Sequence, residues 1–251
     1  MHTSSWLALE TSTDLLSLAV ARADQQWTHT SEGGAKSSEH ILPSIQSLLA
    51  TAGLSLRDLQ AVVLGRGPGA FTGLRTACSV AQGLAFGADL RVLPIDTLLA
   101  VAEEVRHTQA FNAQPAVTRV LVVMDARMAQ VYSAAYEYIA SGAESGWRCV
   151  QANQVHNPEH LQWPADWVAD GFVAAGNAWE FYAQRWPAAL RVPKLQAMPT
   201  AAALLRLAPQ AWAQGLAVPP EDALPLYIRD KVAQTTEERM QAKQATAPDA
   251  A

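Results

Sequence analysis

The sequence predicts an α/β protein of two lobes, each opened by a β-hairpin. Three observations carry that expectation. The apolar run at residues 7–9 ends in an acid, Glu10, and passes through a polar turn into a second apolar run. The run at 120–124 ends in Asp125 and does the same, 115 residues later. One opening used twice points to duplicated units. Between the two hairpins, an apolar run at 61–64, a glycine-rich turn, a helical pattern at 71–86 and an apolar run at 91–95 form a βαβ unit with parallel strands.

The elements follow in order. Residues 6–10 and 15–21 flank Thr11-Ser12-Thr13-Asp14, a turn-forming cluster, and 27–30 extends the hairpin to a third strand. After the loop Glu32-Gly33-Gly34, Ser37 and Ser38 suit a helix cap with Glu39 behind them. Ile41, Leu42, Ile45, Leu48, Leu49 and Ala52 then recur at helical spacing, and Gly53 closes the helix. Pro43 must fall in its first turn or bend it. The helix at 71–86 stops at Gly87, and 97–106 is a further helix. A polar stretch at 107–115 marks a boundary, giving a first lobe over 1–106, a second over 107–226 and a closing segment over 227–251. In the second lobe 120–124 and 130–138 make the hairpin, 141–146 a turn, 167–175 a strand, and 178–186 and 200–212 helices. The polar, alanine-rich stretch from Gln234 has too little apolar surface to order itself.

Composition narrows the function classes. Half the chain is hydrophobic and the net charge is −5, so a large core forms but no dominant basic surface, which argues against a primary nucleic-acid binder. Cys78 and Cys149 stand in unlike contexts without a CxxC pair, which points away from a cysteine zinc site and from a disulfide framework and suits a reducing cytoplasm. The first six residues lack a signal-peptide pattern, and no apolar run has the length of a membrane span.

The most distinctive string is Gly65-Arg66-Gly67-Pro68-Gly69-Ala70-Phe71-Thr72-Gly73. Glycines permit a sharp turn and close approach, and the helix behind them offers free N–H groups to an anion. It is either such a site or a tight strand-to-helix turn. It lacks the lysine of a P-loop. Gly65, Gly67 and Ala70 fit G-x-G-x-x-A with Asp96 ending the next strand, but that dinucleotide fingerprint belongs after a fold's first strand. Glu10, Thr11 and Ser12, with Gly69, Thr72 and the facing Asp125, could hold a nucleotide phosphate and magnesium; equally, the hairpin residues could bond their own backbone. His156 and His160 are four apart, but Asn157 and Pro158 start a helix between them, which parts their faces. His40 stands alone, and no Ser/His/Asp set is evident. Gly73, Ala77, Ala81 and Ala85 form a small-residue stripe that lets something pack closely, either the lobe's own sheet or a helix of another subunit.

Several strings together resemble one family. Leu9-Glu10-Thr11-Ser12-Thr13, Ser38-Glu39-His40-Ile41-Leu42-Pro43, Gly67 through Arg75 (GPGAFTGLR, with Ala70 in place of serine), Met124-Asp125-Ala126-Arg127 with Val131-Tyr132, and Pro225-Leu226-Tyr227-Ile228-Arg229 are similar, in order, to the signatures of the TsaB (YeaZ) family.

The resemblance implies an actin-like (ASKHA, ribonuclease-H-like) fold, the architecture of actin and sugar kinases that paired hairpin-led lobes also suggest. It implies a cytoplasmic, non-catalytic subunit that binds the catalytic TsaD-type paralogue, joined by a TsaE-type ATPase. That complex transfers threonylcarbamoyl from threonylcarbamoyl-AMP to N6 of the adenosine beside the anticodon of tRNA. It further implies no catalytic residue and no metal in this chain, with ATP or ADP at most at a subunit boundary. Homodimers when alone, and contact with the partner, would use the helices at 38–52 and 71–86, hence His40, Ile41, Ile45, Leu48, Gly73, Ala77, Ala81 and Ala85. On that expectation Ala77→Arg or Ala81→Arg blocks pairing and spares the fold. The alternatives are an actin-like nucleotide-using enzyme and the metal-dependent paralogue itself. The paralogue carries an H-x-x-x-H pair, whereas here His40 is followed at i+4 by Ser44.

Overall fold

The computed structural model describes residues 4–34, 37–110, 119–140, 142, 145–168 and 171–229. The polar tail expected from Gln234 lies outside them, as does most of the expected boundary stretch.

The first sheet contains β1 (Ser5–Glu10), β2 (Leu15–Arg22), β3 (Gln25–Glu32), β4 (Ala61–Gly65) and β5 (Arg91–Ile95) in the order β3-β2-β1-β4-β5. The second contains β6 (Arg119–Asp125), β7 (Val131–Ile139), β8 (Gly146–His156), β9 (Val173–Gly176) and β10 (Lys194–Gln196) in the order β10-β9-β6-β7-β8. Read from its third strand, the second sheet repeats the first. In each, an antiparallel three-strand meander is followed by two strands parallel to the first. The duplicated hairpins in the sequence are the visible part of this repeat.

Among the described residues four α-helices pack on the sheets: α1 (Ser37–Ala52), α2 (Phe71–Ala88), α3 (Thr97–Ala110) and α4 (Ala201–Ala213). Leu7 and Leu9 of β1, with Leu16, Leu18, Val62 and Leu64, face α1 and α2. Trp6 and Ala8 point the other way, with Ala19, Ala61 and Val63, onto α4. That face carries small residues, and so does α4 at Ala201, Ala203, Ala208 and Ala211, which lets helix and sheet approach closely. Because both faces are covered, β4 is apolar throughout. Pro94, without an N–H, sits in β5 at the sheet edge.

The helix α3 packs Leu98, Val101, Ala102 and Val105 on the second sheet. An ion-pair network joins it to α4. Buried Glu103 accepts from Arg106 at 2.8 and 2.9 Å, from Arg206 at 3.0 Å and from the Trp147 indole at 2.9 Å. The division at residue 106 therefore separates strands but not helices: α4, expected in the second lobe, lies on the first sheet, and α3 lies on the second.

Several sequence expectations are corrected. The helix α3 runs on to Ala110. Pro43 sits inside α1 rather than in its first turn, on the exposed side where the Glu39 carbonyl it leaves unpaired faces water. The helix α2 continues through Gly87 and ends at Asp89 in the left-handed region, φ 55°. The strand β8 begins at Gly146, inside the turn expected over 141–146, part of which lies outside the described residues; its exposed and half-buried residues, polar ones among them, give no apolar signal. The expected strand at 167–175 is reduced to β9, and β10 was not foreseen. Residues 178–186 are turns, not a helix: Trp179, Tyr182 and Trp186 stack on one another, with Trp179 and Trp186 centroids 4.9 Å apart, and cap the outer face of the second sheet.

The small-residue stripe is also reassigned. Ala77, Ala81 and Ala85 are wholly buried in the first lobe's core beside Ile41, Ile45 and Leu48, and Gly73 is buried on the hairpin. Of the eight residues expected at a pairing surface, only His40 faces solvent. Close approach is used by the lobe's own sheet. Outward, α1 and α2 present His40, Leu42, Thr72, Arg75, Ser79, Gly83 and Phe86 among others, the last 82% exposed.

Candidate functional site

A cleft opens where the two hairpin turns face each other. Ser12, Thr13 and Asp14 line it from the first lobe, Gly69, Ala70 and Thr97 from its floor, and Asp125, Arg127, Tyr132 and Asn177 from the second lobe. The sequence signals meet here, but most are spent on the protein itself.

Glu10 ends β1 and is 1% exposed. Its carboxylate accepts from the Ser12 amide at 2.7 Å and from the Thr97 hydroxyl at 3.2 Å. It lies under Gly65, where an added Cβ would stand 2.0 Å from Oε2. Thr11 donates its hydroxyl to the Gly73 carbonyl at 2.7 Å, and the Ala70 amide donates to the Ser12 carbonyl at 2.7 Å. A Cβ on Gly69 would meet Ser12 at 2.5 Å. The glycines thus admit the β1–β2 turn to the start of α2, and the turn fills the place an anion would take. Thr13 bonds the Leu15 amide at 3.2 Å, as a self-stabilised turn does.

Across the cleft, Asp125 accepts from the Tyr182 hydroxyl at 2.7 Å and the Arg127 amide at 2.9 Å, while its own amide donates to Asn177 at 2.8 Å. Burial and the bond to Asp125 push the Tyr182 phenol up to about 12. Arg127 then reaches over to Asp14 with contacts of 2.8 and 3.1 Å. The cleft this leaves is a cavity of about 80 Å³, against about 300–1,000 Å³ for ligand pockets in general. Of the residues expected to hold a nucleotide or anion, Ser12, Gly69 and Asp125 line the cavity, Glu10 and Thr11 lie beneath it, and Thr72 is exposed on α2 outside it. Asp96 is held by Arg66 at 2.6 Å and Asn153 at 3.0 Å, so it is already engaged where a dinucleotide fingerprint would need it. Ser44 bonds His29 at 3.2 Å, and His156 bonds Ser133 at 2.7 Å.

Three residues matter more than the motifs suggested. Arg127 spans the cleft. Tyr227 and Arg229, at the start of the closing segment, strap both lobes: the Leu226 amide donates to the Arg66 carbonyl at 2.7 Å, Arg75 donates to the Tyr227 hydroxyl at 2.9 Å, and Arg229 donates to Gln130 at 2.7 Å and to the Arg127 carbonyl at 3.4 Å. Their positions in the DAR and P-x-Y-x-R strings were the available signal.

Glu10 yields a test of this interior. Burial raises its carboxyl above the ordinary value of 4.5, and the Ser12 and Thr97 donors only partly offset that. The unfolded chain therefore loses this proton first. The stability it contributes is present below pH 4.5 and falls as pH rises through the elevated folded value. Thermal melts of Glu10→Gln between pH 4 and 8 are expected to lose this decline, so that the variant gains on wild type toward neutral pH. Parallel curves would show that the buried carboxyl does not govern stability here.

Comparison with known proteins places this geometry. Residues 18–236 match the family model described as TsaD, tRNA N6-adenosine threonylcarbamoyltransferase. The chain is 34% identical over 234 residues to the tRNA threonylcarbamoyladenosine biosynthesis protein TsaB of Escherichia coli, covering 90% of this chain and 95% of that one. It is 35% identical over 237 residues to the TsaB of Haemophilus influenzae, covering 92% and 96%. The structure of YeaZ from Pseudomonas aeruginosa superposes with a TM-score of 0.79 at 36% identity, over 89% of this chain and 99% of that one. Two hairpin-led lobes in one repeated topology, the glycine string clasping the first hairpin turn, and near full-length identity to these relatives lead to one conclusion: the chain belongs to the TsaB (YeaZ) family, within the broader family that the TsaD model describes.

Proposed function

We propose that this chain is the non-catalytic, cytoplasmic subunit of a tRNA threonylcarbamoyladenosine complex, built on the actin-like (ASKHA) fold. Its relatives carry tRNA threonylcarbamoyladenosine biosynthesis in their names. The observation that carries the non-catalytic role is the cleft. Its acids are spent on the protein's own donors: Asp14 on Arg127, Asp125 on Tyr182 and Arg127, Glu10 on Ser12 and Thr97. Ser44 stands where the paralogue's second histidine would, and among the described residues no cluster of three His, Cys, Asp or Glu side chains could hold a metal ion. The partner is a TsaD-type catalytic subunit, with a TsaE-type ATPase joining the pair.

The pairing surface is the outward side of α1 and of the C-terminal half of α2, which also supports a homodimer. It offers Leu42, 46% exposed, Phe86, 82% exposed, and Gly83, where an added Cβ meets nothing within 4 Å. Among the described residues no helix is long and apolar enough to cross a membrane.

Light scattering on this chain alone and mixed with a TsaD-type subunit tests the reading. A mixed complex is expected from wild type and none from Gly83→Arg, with both melting at the same temperature. Retained pairing by Gly83→Arg would remove this face from the interface. Modification of tRNA or turnover of ATP by the chain alone would sink the non-catalytic role.

A further inference from the structure

We propose that Arg75, with Tyr227 and Arg229 beside it, is a contact for the phosphate backbone of RNA on this subunit. The inference rests on the reading above only in taking tRNA as the polyanion.

Arg75 lies on the exposed side of α2, one turn into the helix. Its guanidinium stacks over the Phe71 ring at 3.7 Å, and its Nε donates to the Tyr227 hydroxyl at 2.9 Å. Among the described residues its two terminal nitrogens have no hydrogen-bond partner. A guanidinium fixed by its plane and its Nε, with both terminal amino groups left unbonded, is a fork ready for two phosphate oxygens. Its partners are neutral, so its charge is not cancelled locally.

The neighbours extend the contact. Phe71 and Tyr227 pack with centroids 5.2 Å apart, and Tyr227 keeps 46% of its surface exposed, enough to stack a base. Two residues on, the partners of Arg229 among the described residues are also neutral: Gln130 at 2.7 Å, the Arg127 carbonyl at 3.4 Å and Met128 at 3.5 Å. Two carboxylates of the cleft are already engaged, Asp14 with Arg127 and Asp125 with Tyr182 and Arg127, while Glu221 and Asp222 stand on the short turn that packs against α2. The chain is acidic as a whole, with a net charge of −5, so the contact is local. It directs an RNA already held by a partner and does not bind RNA alone.

The test uses the complex of this chain with its catalytic partner and an unmodified tRNA transcript as the probe. Arg75→Ala is expected to weaken tRNA binding several-fold near physiological salt. It is also expected to lower the slope of log K against log salt by about 0.7–0.9, the share of one phosphate contact. Arg75→Lys should restore the slope but only part of the affinity, because it keeps the charge and loses the fork. Tyr227→Phe, which frees Nε, should fall between. Light scattering on each variant reports pairing separately. Unchanged affinity and slope with pairing intact overturns the proposal. Loss of pairing by Arg75→Ala also overturns it, because Arg75 would then belong to the protein interface, and wild-type pairing would still stand.

Discussion

Ala77→Arg is expected to unfold the protein. Ala77 has no exposed surface and is enclosed by the sheet and by α1, among Leu64, Ile45 and Leu48. An arginine there must either bury an unpaired guanidinium or push α2 off β4. Either route costs several kcal/mol, which is comparable to the whole stability of a domain, about 5–15 kcal/mol. Circular dichroism should find little cooperative melting in Ala77→Arg, while Gly83→Arg melts like wild type. A folded Ala77→Arg that had lost only its pairing would place the stripe at a partner surface, as the spacing alone allowed.

That contrast shows how far the sequence could be read. Strands with both faces covered declare themselves, as the unbroken run of β4 does, and the two acid-ended hairpins made the duplication visible. A period of four along α2 states that something approaches closely but not from which side. The answer lay on other elements, since Leu7, Leu9, Val62 and Leu64 needed a cover and α2 supplied it. The strand β8 was missed because pairing with β7 holds it, not an apolar pattern of its own. At 178–186 the ordering force is ring stacking among Trp179, Tyr182 and Trp186, which has no helical period. The candidate site was legible as residue types, Glu10, Ser12, Gly69 and Asp125, but not as bonds. That Asp14 meets Arg127 across the cleft depends on two lobes docking, which no local pattern encodes.

The glycine string carries the remaining prediction, because the same substitution ten residues apart on α2 should have opposite signs. At Gly73 an added Cβ would stand 1.9 Å from the Thr11 carbonyl oxygen, which is backbone in the β1–β2 turn and has little room to yield. Gly73→Ala must push the turn away from α2. It strains the Thr11 hydroxyl bond to the Gly73 carbonyl and the Ala70 bond to Ser12, at a loss of about 3 kcal/mol. At Gly83 the Cβ meets nothing within 4 Å and the backbone is already helical, so Gly83→Ala should gain roughly 0.5–1 kcal/mol. Denaturant melts should therefore separate the two variants by about 4 kcal/mol. If Gly73→Ala proves as stable as wild type, the turn is not clasped on α2, and the start of that helix is open to a ligand after all. The hairpin that moves also carries Asp14. A destabilised Gly73→Ala is therefore expected to loosen the contact with Arg127 that closes the cleft.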